Sequence, residues 1–461
     1  MKRNTIIQIG IIIILVVILG IVIKFTVDAI NENNTVSENS NKSAGENTEQ
    51  QKENIQGGMN DKSNSTSYSG VEEITSDTTL NSGEYSSESS DENAILVDGD
   101  IDVTISNSTI NKTGDSDGGD STSFYGTNSA IIAKNGANLV LKNITVATNA
   151  KGANGVFCYG GSATTNNSSS DGTTITISDS TINTSKDNSG GIMTTGGGTM
   201  NASNLTINTA GTSSAAIRTD RGGGTVTVDG GTYTTTGKGS PTIYSTANIF
   251  VSNAELVSKT SEGIVIEGKN SVEINNCNLT DSNTQLNGQS TTYKNIFLYQ
   301  SMSGDAASGN SEFTAKNSKI TTNNGDTLYV TNTTATINLE NNTIINNDSN
   351  GNFLRIQKDS WGNTGSNGGD VTLIMTYQEA IGNIVVDSIS KLNMTIKSNS
   401  YYEGTINGDN TAKEITLKLD SNSKIKLTGD SYITSLEDED TTYSNIDFNG
   451  YKLYVNGKFI N

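Results

Sequence analysis

From about residue 71 onward, apolar and polar positions alternate in short runs that recur along the chain. Thr174-Ile-Thr-Ile-Ser-Asp-Ser-Thr-Ile182 shows the unit clearly. A short alternating strand meets a polar corner, and a second short strand follows. Val103-Thr-Ile-Ser-Asn-Ser-Thr-Ile110, Val226-Thr-Val-Asp-Gly-Gly-Thr-Tyr233 and Val272-Glu-Ile-Asn-Asn-Cys-Asn-Leu279 are variants of it. With corners at Asn107, Asn143, Asp179, Asn204, Gly230, Asn253, Asn276, Asn317 and Asn341, the intervals are 36, 36, 25, 26, 23, 23, 41 and 24 residues. The base period is 23 to 26 residues, and the three long intervals carry insertions. Self-similarity at such a period is the mark of a solenoid. Three short strands per period predict an all-β, single-stranded, right-handed parallel β-helix, its coils ~4.8 Å apart.

A second run recurs once per coil, as in Ala130-Ile-Ile-Ala133, Gly155-Val-Phe-Cys158, Gly191-Ile-Met-Thr194 and Gly263-Ile-Val-Ile266. Strand alternation sends its second and fourth residues to one face. Ile131, Val156, Ile192, Ile217, Ile243, Ile264, Ile296, Leu328 and Leu354 form one inward column. Ala133, Cys158, Thr194, Thr219, Ser245, Ile266, Leu298, Val330 and Ile356 form the other. The corner Asn has a structural reason: it tolerates the left-handed region, and stacked Asn side chains bond along a ladder.

The ends of the chain read differently. Residues 6–23 are nearly all apolar, behind Lys2 and Arg3, so residues 1–30 predict a transmembrane signal-anchor with the remainder outside. Val27-Asp-Ala29 also has the form of a cleavage site, which would leave a secreted protein. Residues 31–70 are polar and predict a disordered linker. The β-helix is expected over 71–370, and residues 371–461 predict further coils and a cap.

Composition narrows the chemistry. Only 32% of the 461 residues are apolar, which suits a thin central column better than a globular core. The net charge of -20 argues against nucleic-acid binding. With no His, Ser-His-Asp and Cys-His catalysis and His-ligated zinc are excluded. Cys158 and Cys277 fall about four to five coils apart, roughly 20 Å at the strand spacing, and are expected to be free.

The apolar head, polar linker, Thr174-to-Ile182 type repeats and the ending Gly429-Asp-Ser-Tyr-Ile-Thr-Ser-Leu436 resemble bacterial cell-surface right-handed β-helix proteins of the pectin-lyase-like and adhesin-like kind. That resemblance implies the fold. It leaves activity open, because such scaffolds carry lyases, hydrolases, adhesins and inert spacers.

Candidate sites follow from the outward positions. Ile132, Phe157, Met193, Arg218, Tyr244, Val265, Phe297, Tyr329 and Arg355 are expected to be exposed, with Tyr159 and Tyr299 two residues on. Phe157, Tyr159, Tyr244, Phe297, Tyr299 and Tyr329 thus make an aromatic wall, suited to glycan or a surface protein partner. Strand propensity alone is the competing explanation. Insertions at 160–172, 301–311 and 358–370, the last with Trp361, emerge beside that wall. Asp115, Asp117 and Asp120 in a Gly-rich loop resemble a calcium-binding loop but lack the full twelve-residue pattern with its closing Glu; a solvated acidic loop is the leading reading, calcium the alternative, and no other cofactor is expected. Arg218, Asp220 and Arg221 are the compact acid–base cluster, and would be the catalytic residues of a polysaccharide lyase or hydrolase. Arg355-Ile-Gln-Lys358 is faintly similar to the Arg-Ile-Lys motif of polygalacturonases. The Gly-His-Gly motif of that family and the Arg-x-Pro-x-x-Arg motif of pectate lyases are missing. Adhesion through the aromatic wall is the leading expectation, the enzyme the second and an inert spacer the third.

Overall fold

The computed structural model describes residues 66–116, 118–162 and 169–460. The expected anchor and all but the last few residues of the expected linker lie outside them. No helix among the described residues is long and apolar enough to cross a membrane. The described residues begin slightly before the repeat pattern: the Tyr68 hydroxyl donates to the Tyr125 carbonyl at 3.0 Å, and Gly70–Ile74 is the first described strand.

The described chain is all-β, built from long parallel sheets of 12 and 22 strands, an arrangement consistent with a β-helix solenoid. Pairing is between equivalent strands of successive coils. Val156 pairs with Ile131 on one side and Ile192 on the other. One coil illustrates the path: Ile131–Lys134 joins the 12-stranded sheet, then Asn138–Lys142 and Thr145–Thr148 join the 22-stranded sheet on either side of the corner Asn143. The pairings are parallel until the last hairpin, where Leu453–Val455 meets Lys458–Phe459 antiparallel. Strands Gly369–Thr376, Lys391–Lys397, Glu414–Leu419 and Ser435–Asp438 extend the larger sheet beyond residue 370.

Both inward columns are buried along their whole length, and they run on to Ile95 and Val97 at one end and Ile384 and Val386 at the other. Each fully buried Ile or Leu contributes about 1.5–3 kcal/mol by leaving water. Stacked identical side chains let a narrow core suffice. Cys158 and Cys277 are both buried and unpaired, and burial pushes the Cys158 thiol up to about 12, so it packs as a small apolar side chain.

All nine corner residues have positive φ, from 50° at Asp179 and Asn317 to 75° at Gly230. Their amides also bond along the axis. Asn143 Nδ2 donates to Asn107 Oδ1 at 2.6 Å, Asn276 to Asn253 at 2.7 Å and Asn341 to Asn317 at 2.8 Å.

A polar ladder runs inside, at the last inward position of the strand after the corner. Thr184 and Thr209 donate there to the carbonyls of Ser189 and Ser214, and Ser258 donates to Ser261 O at 2.8 Å. Asp281 takes this place one coil above Ser258 and one below Thr322. Its Oδ1 has no hydrogen-bond partner among the described residues. Burial raises its pKa well above the ordinary value, opposed by the Asn283 backbone N–H and assisted by Glu262, so the folded state favours the neutral acid. A carboxyl with a raised folded pKa costs nothing below its unfolded pKa of about 3.9, and its penalty grows as pH rises from there toward the folded value. Asp281→Thr is therefore expected to raise the denaturant midpoint at neutral pH and to flatten its decline above about pH 4. A variant destabilised equally at every pH would contradict this.

Candidate functional site

Most outward positions of the 12-stranded sheet are covered, while Arg218, Tyr244 and Arg355 are half-buried. Ile132, Phe157, Met193 and Tyr329 have no accessible surface, and Phe297 and Val265 are almost as buried. The expected exposure of Phe157, Phe297 and Tyr329 is thus corrected, whereas Tyr159, Tyr244, Tyr299 and Trp361 keep part of their surface. Alternation does point these side chains away from the axis, but segments inserted between strands fold back over them.

Two apolar clusters result. Leu96, Ile132, Phe157 and Met193 pack beneath Tyr68 and Tyr159. The short helix Asp120–Tyr125 lies here as well: the Gly126 that ends it sits on the Phe157 ring, and Tyr125 meets Tyr159 edge-on at 5.6 Å. Val265, Phe297 and Tyr329 form the second cluster beneath Tyr244, Tyr299 and Trp361. Trp361 lies 5.3 Å from Phe297 and 5.2 Å from Tyr299, centre to centre. Arg218, in register between Met193 and Tyr244, separates the clusters, so the aromatic residues form no single patch.

The second cluster already holds a cation. Lys294 is fully buried, with Nζ 4.4 Å from the Phe297 ring centre and 4.8 Å from that of Tyr329. It also donates to Ser290 Oγ at 2.7 Å and lies 3.8 Å from Glu262. Burial lowers its pKa while Glu262 opposes that shift. Asp359 fastens the Trp361 segment by accepting from the Tyr329 hydroxyl at 2.6 Å and from Thr291 at 3.0 Å. The wall binds its own chain.

Arg218, Asp220 and Arg221 do come together. Arg218 Nη2 lies 2.6 Å from Asp220 Oδ2. Arg221 Nη2 reaches Asp305 Oδ1 of the 301–311 insertion at 2.8 Å, and its guanidinium lies 4.0 Å from the Phe124 ring centre. Burial pushes the Asp220 carboxyl up to about 6, with Arg218 opposing and Asp305 assisting. Nearby, buried Glu267 accepts from the Tyr244 hydroxyl at 2.5 Å and the Tyr299 hydroxyl at 3.0 Å, and Ser301 also donates to it. Gly197, Gly222, Gly223, Lys269 and Asp305 line a cleft of about 400 Å³ beside this network.

Two of the three expected calcium ligands have cationic partners of their own. Asp115 accepts from the Lys151 backbone N–H at 2.8 Å and the Lys186 ammonium at 2.9 Å, which hold its carboxyl below the usual range. Asp120 begins the short helix and faces Arg221 at 3.7 Å. Asp117 lies outside the described residues. Among those described, no three acidic, His or Cys side chains are grouped to hold a metal ion.

The open candidate is on the other sheet. The strands after the corner stack Asn111, Ala147, Asn183, Asn208 and Thr234 in register on the outer face. Thr113, Asn149, Ser185, Ala210 and Thr236 follow two residues on, with Lys259 beside Thr236 in the next coil, all exposed. Together they line a groove of about 560 Å³ parallel to the axis. Internal bonds fix its side chains: Asn208 Nδ2 donates to Asn183 Oδ1 at 2.9 Å, and Ser185 Oγ to Asn149 Oδ1 at 2.9 Å. The signal was in the repeats, as Thr109-Ile-Asn111, Thr181-Ile-Asn183 and Thr206-Ile-Asn208.

Comparison with protein-family models, with curated proteins and with solved structures finds no match.

Truncating a covered wall residue should act on stability. Tyr329→Ala is expected to cost about 3–5 kcal/mol, as for other buried aromatic truncations. Denaturant unfolding checks this, and a change within about 0.5 kcal/mol, the usual range for surface substitutions, would restore the open wall.

Proposed function

We propose that this chain is an adhesin-like, right-handed parallel β-helix displayed at the cell surface, and that it holds an extended polymeric partner along its length. The observation that carries this reading is the axial groove lined by Asn111, Ala147, Asn183, Asn208 and Thr234. A polymer lying there meets equivalent side chains once per coil. Because the backbone ladder and the internal amide bonds hold those side chains, little is lost in ordering them on binding. The right hand follows the rule for crossovers between parallel strands, about 98% of which are right-handed. Surface display rests on the apolar head and polar linker of the sequence. The aromatic wall then serves as packing, and Phe157, Tyr159, Tyr244, Phe297, Tyr299, Tyr329 and Trp361 support the scaffold from its covered side.

A polysaccharide lyase or hydrolase is the second reading. It is favoured by Asp220, with its pKa near 6, linked through Arg221 and Asp305 to the glycine-lined cleft. Release of reducing ends from polyuronides, lost in Asp305→Asn, would support it; no product with or without calcium would end it.

Binding is tested with the full chain on arrays of glycans and of extended peptides, beside a plugged variant, Ala147→Tyr. The plug is expected to lower retention by on the order of tenfold, the effect of losing one or two hydrogen-bonded contacts. The unfolding midpoint should stay put, since the position is on the solvent side. Equal retention by wild type and plug would remove the groove from the account and leave the spacer.

A further inference from the structure

We infer that the groove takes a neutral β-linked glycan, laid along the axis with about one sugar ring per coil; this rests on the groove being the binding face. Charge narrows the ligand first. The chain carries a net charge of -20, yet the groove lining contains no carboxylate, and its one charged side chain is Lys259 at one end. A polyanion would be repelled by the molecule as a whole, and a polycation would find no carboxylate in the groove to pair with. A neutral chain meets neither obstacle.

The hydrogen-bonding groups point the same way. Each Asn amide offers donors and an acceptor together, a match for sugar hydroxyls, which also do both. Asn183, Asn208 and Asn149 are exposed, and each uses only part of that capacity in the bonds between coils. Ala147 and Ala210, with the Thr234 and Thr236 methyl groups, supply apolar surface for the C–H faces of the rings. Ala147 stands in register between Asn111 and Asn183, so the amide row opens there into a gap that can receive a ring substituent.

A peptide fits less well. Extended peptides gain most of their affinity by adding a strand to a free sheet edge. The strands beneath this groove are paired on both sides: Thr181–Thr184 lies between Thr145–Thr148 and the strand Gly198–Thr209. Only side chains are on offer. Spacing completes the argument, because coils repeat every ~4.8 Å and a β-linked pyranose advances by a similar length. Each ring therefore meets one coil, with successive β-1,4-linked rings turning alternate faces to the groove, until a small mismatch accumulates. With no aromatic side chain in the lining, each ring is held weakly, and affinity comes from the number of rings engaged.

The test is calorimetric titration of the full chain with cello-oligosaccharides from disaccharide to hexasaccharide, beside oligogalacturonates and an uncharged extended peptide of similar length. Affinity for the neutral series is expected to rise by on the order of tenfold or more from the shortest to the longest, as hydrogen bonds add along the groove, then to level off. The double variant Asn183→Ala, Asn208→Ala should abolish the rise with length, and the plug Ala147→Tyr should do the same by occlusion. Salt should change little. Tighter, groove-dependent binding of the oligogalacturonate or the peptide would overturn the neutral glycan while leaving the groove as the binding face. Binding of any probe that ignores both groove variants, or no binding at all, would overturn both.

Discussion

One residue per coil must turn the chain through the left-handed region, and the architecture depends on that turn. Without it, the strands on either side of the corner would run on as one, and the coil would not close on its apolar column. Asn supplies the turn at low cost and adds an amide bond to the coil next door; Gly230 supplies only the turn. Corner geometry, backbone ladder and amide ladder therefore enforce the same register. That agreement keeps Ile131, Val156, Ile192 and Ile217 in line despite coil lengths that vary.

Register has opposite consequences on the two sheets. On the 12-stranded sheet, stacking gathers large side chains, and a row of Phe and Tyr facing water invites a cover. The insertions supply it through Phe124, Tyr125 and Trp361, and buried charges then need partners of their own: Arg218 with Asp220, Lys294 with Glu262, Arg355 with Asp326. On the strands after the corner, stacking gathers Asn, Thr and Ala. Their outer face carries small side chains and no aromatic ring, and it stays open. Covered wall and open groove are thus two results of a single repeat.

The sequence made the repeat legible because strand alternation and corner chemistry are local. The inward columns and all nine corners could be read residue by residue. The short helix Asp120–Tyr125 was not, since six residues in a Gly-rich insertion carry no helical period. The wall was placed on the correct side of the sheet but assigned the wrong environment: alternation says which way Tyr329 points, not that Asp359 and Trp361 arrive from a distant insertion to meet it. The partners of Asp115 and Asp120 were hidden for the same reason, as Lys186 and Arg221 come from later coils. The groove was hidden in plain view, because Thr-Ile-Asn reads as strand propensity until the coils are stacked.

The most direct measurement is a crystal structure of the full chain with a bound neutral hexasaccharide. The account predicts sugar density running along the axis over Asn111, Ala147, Asn183, Asn208 and Thr234, with Trp361 still seated on Phe297 and Tyr299. Density in the glycine-lined cleft at Asp305, or against a wall from which Trp361 has withdrawn, would contradict it.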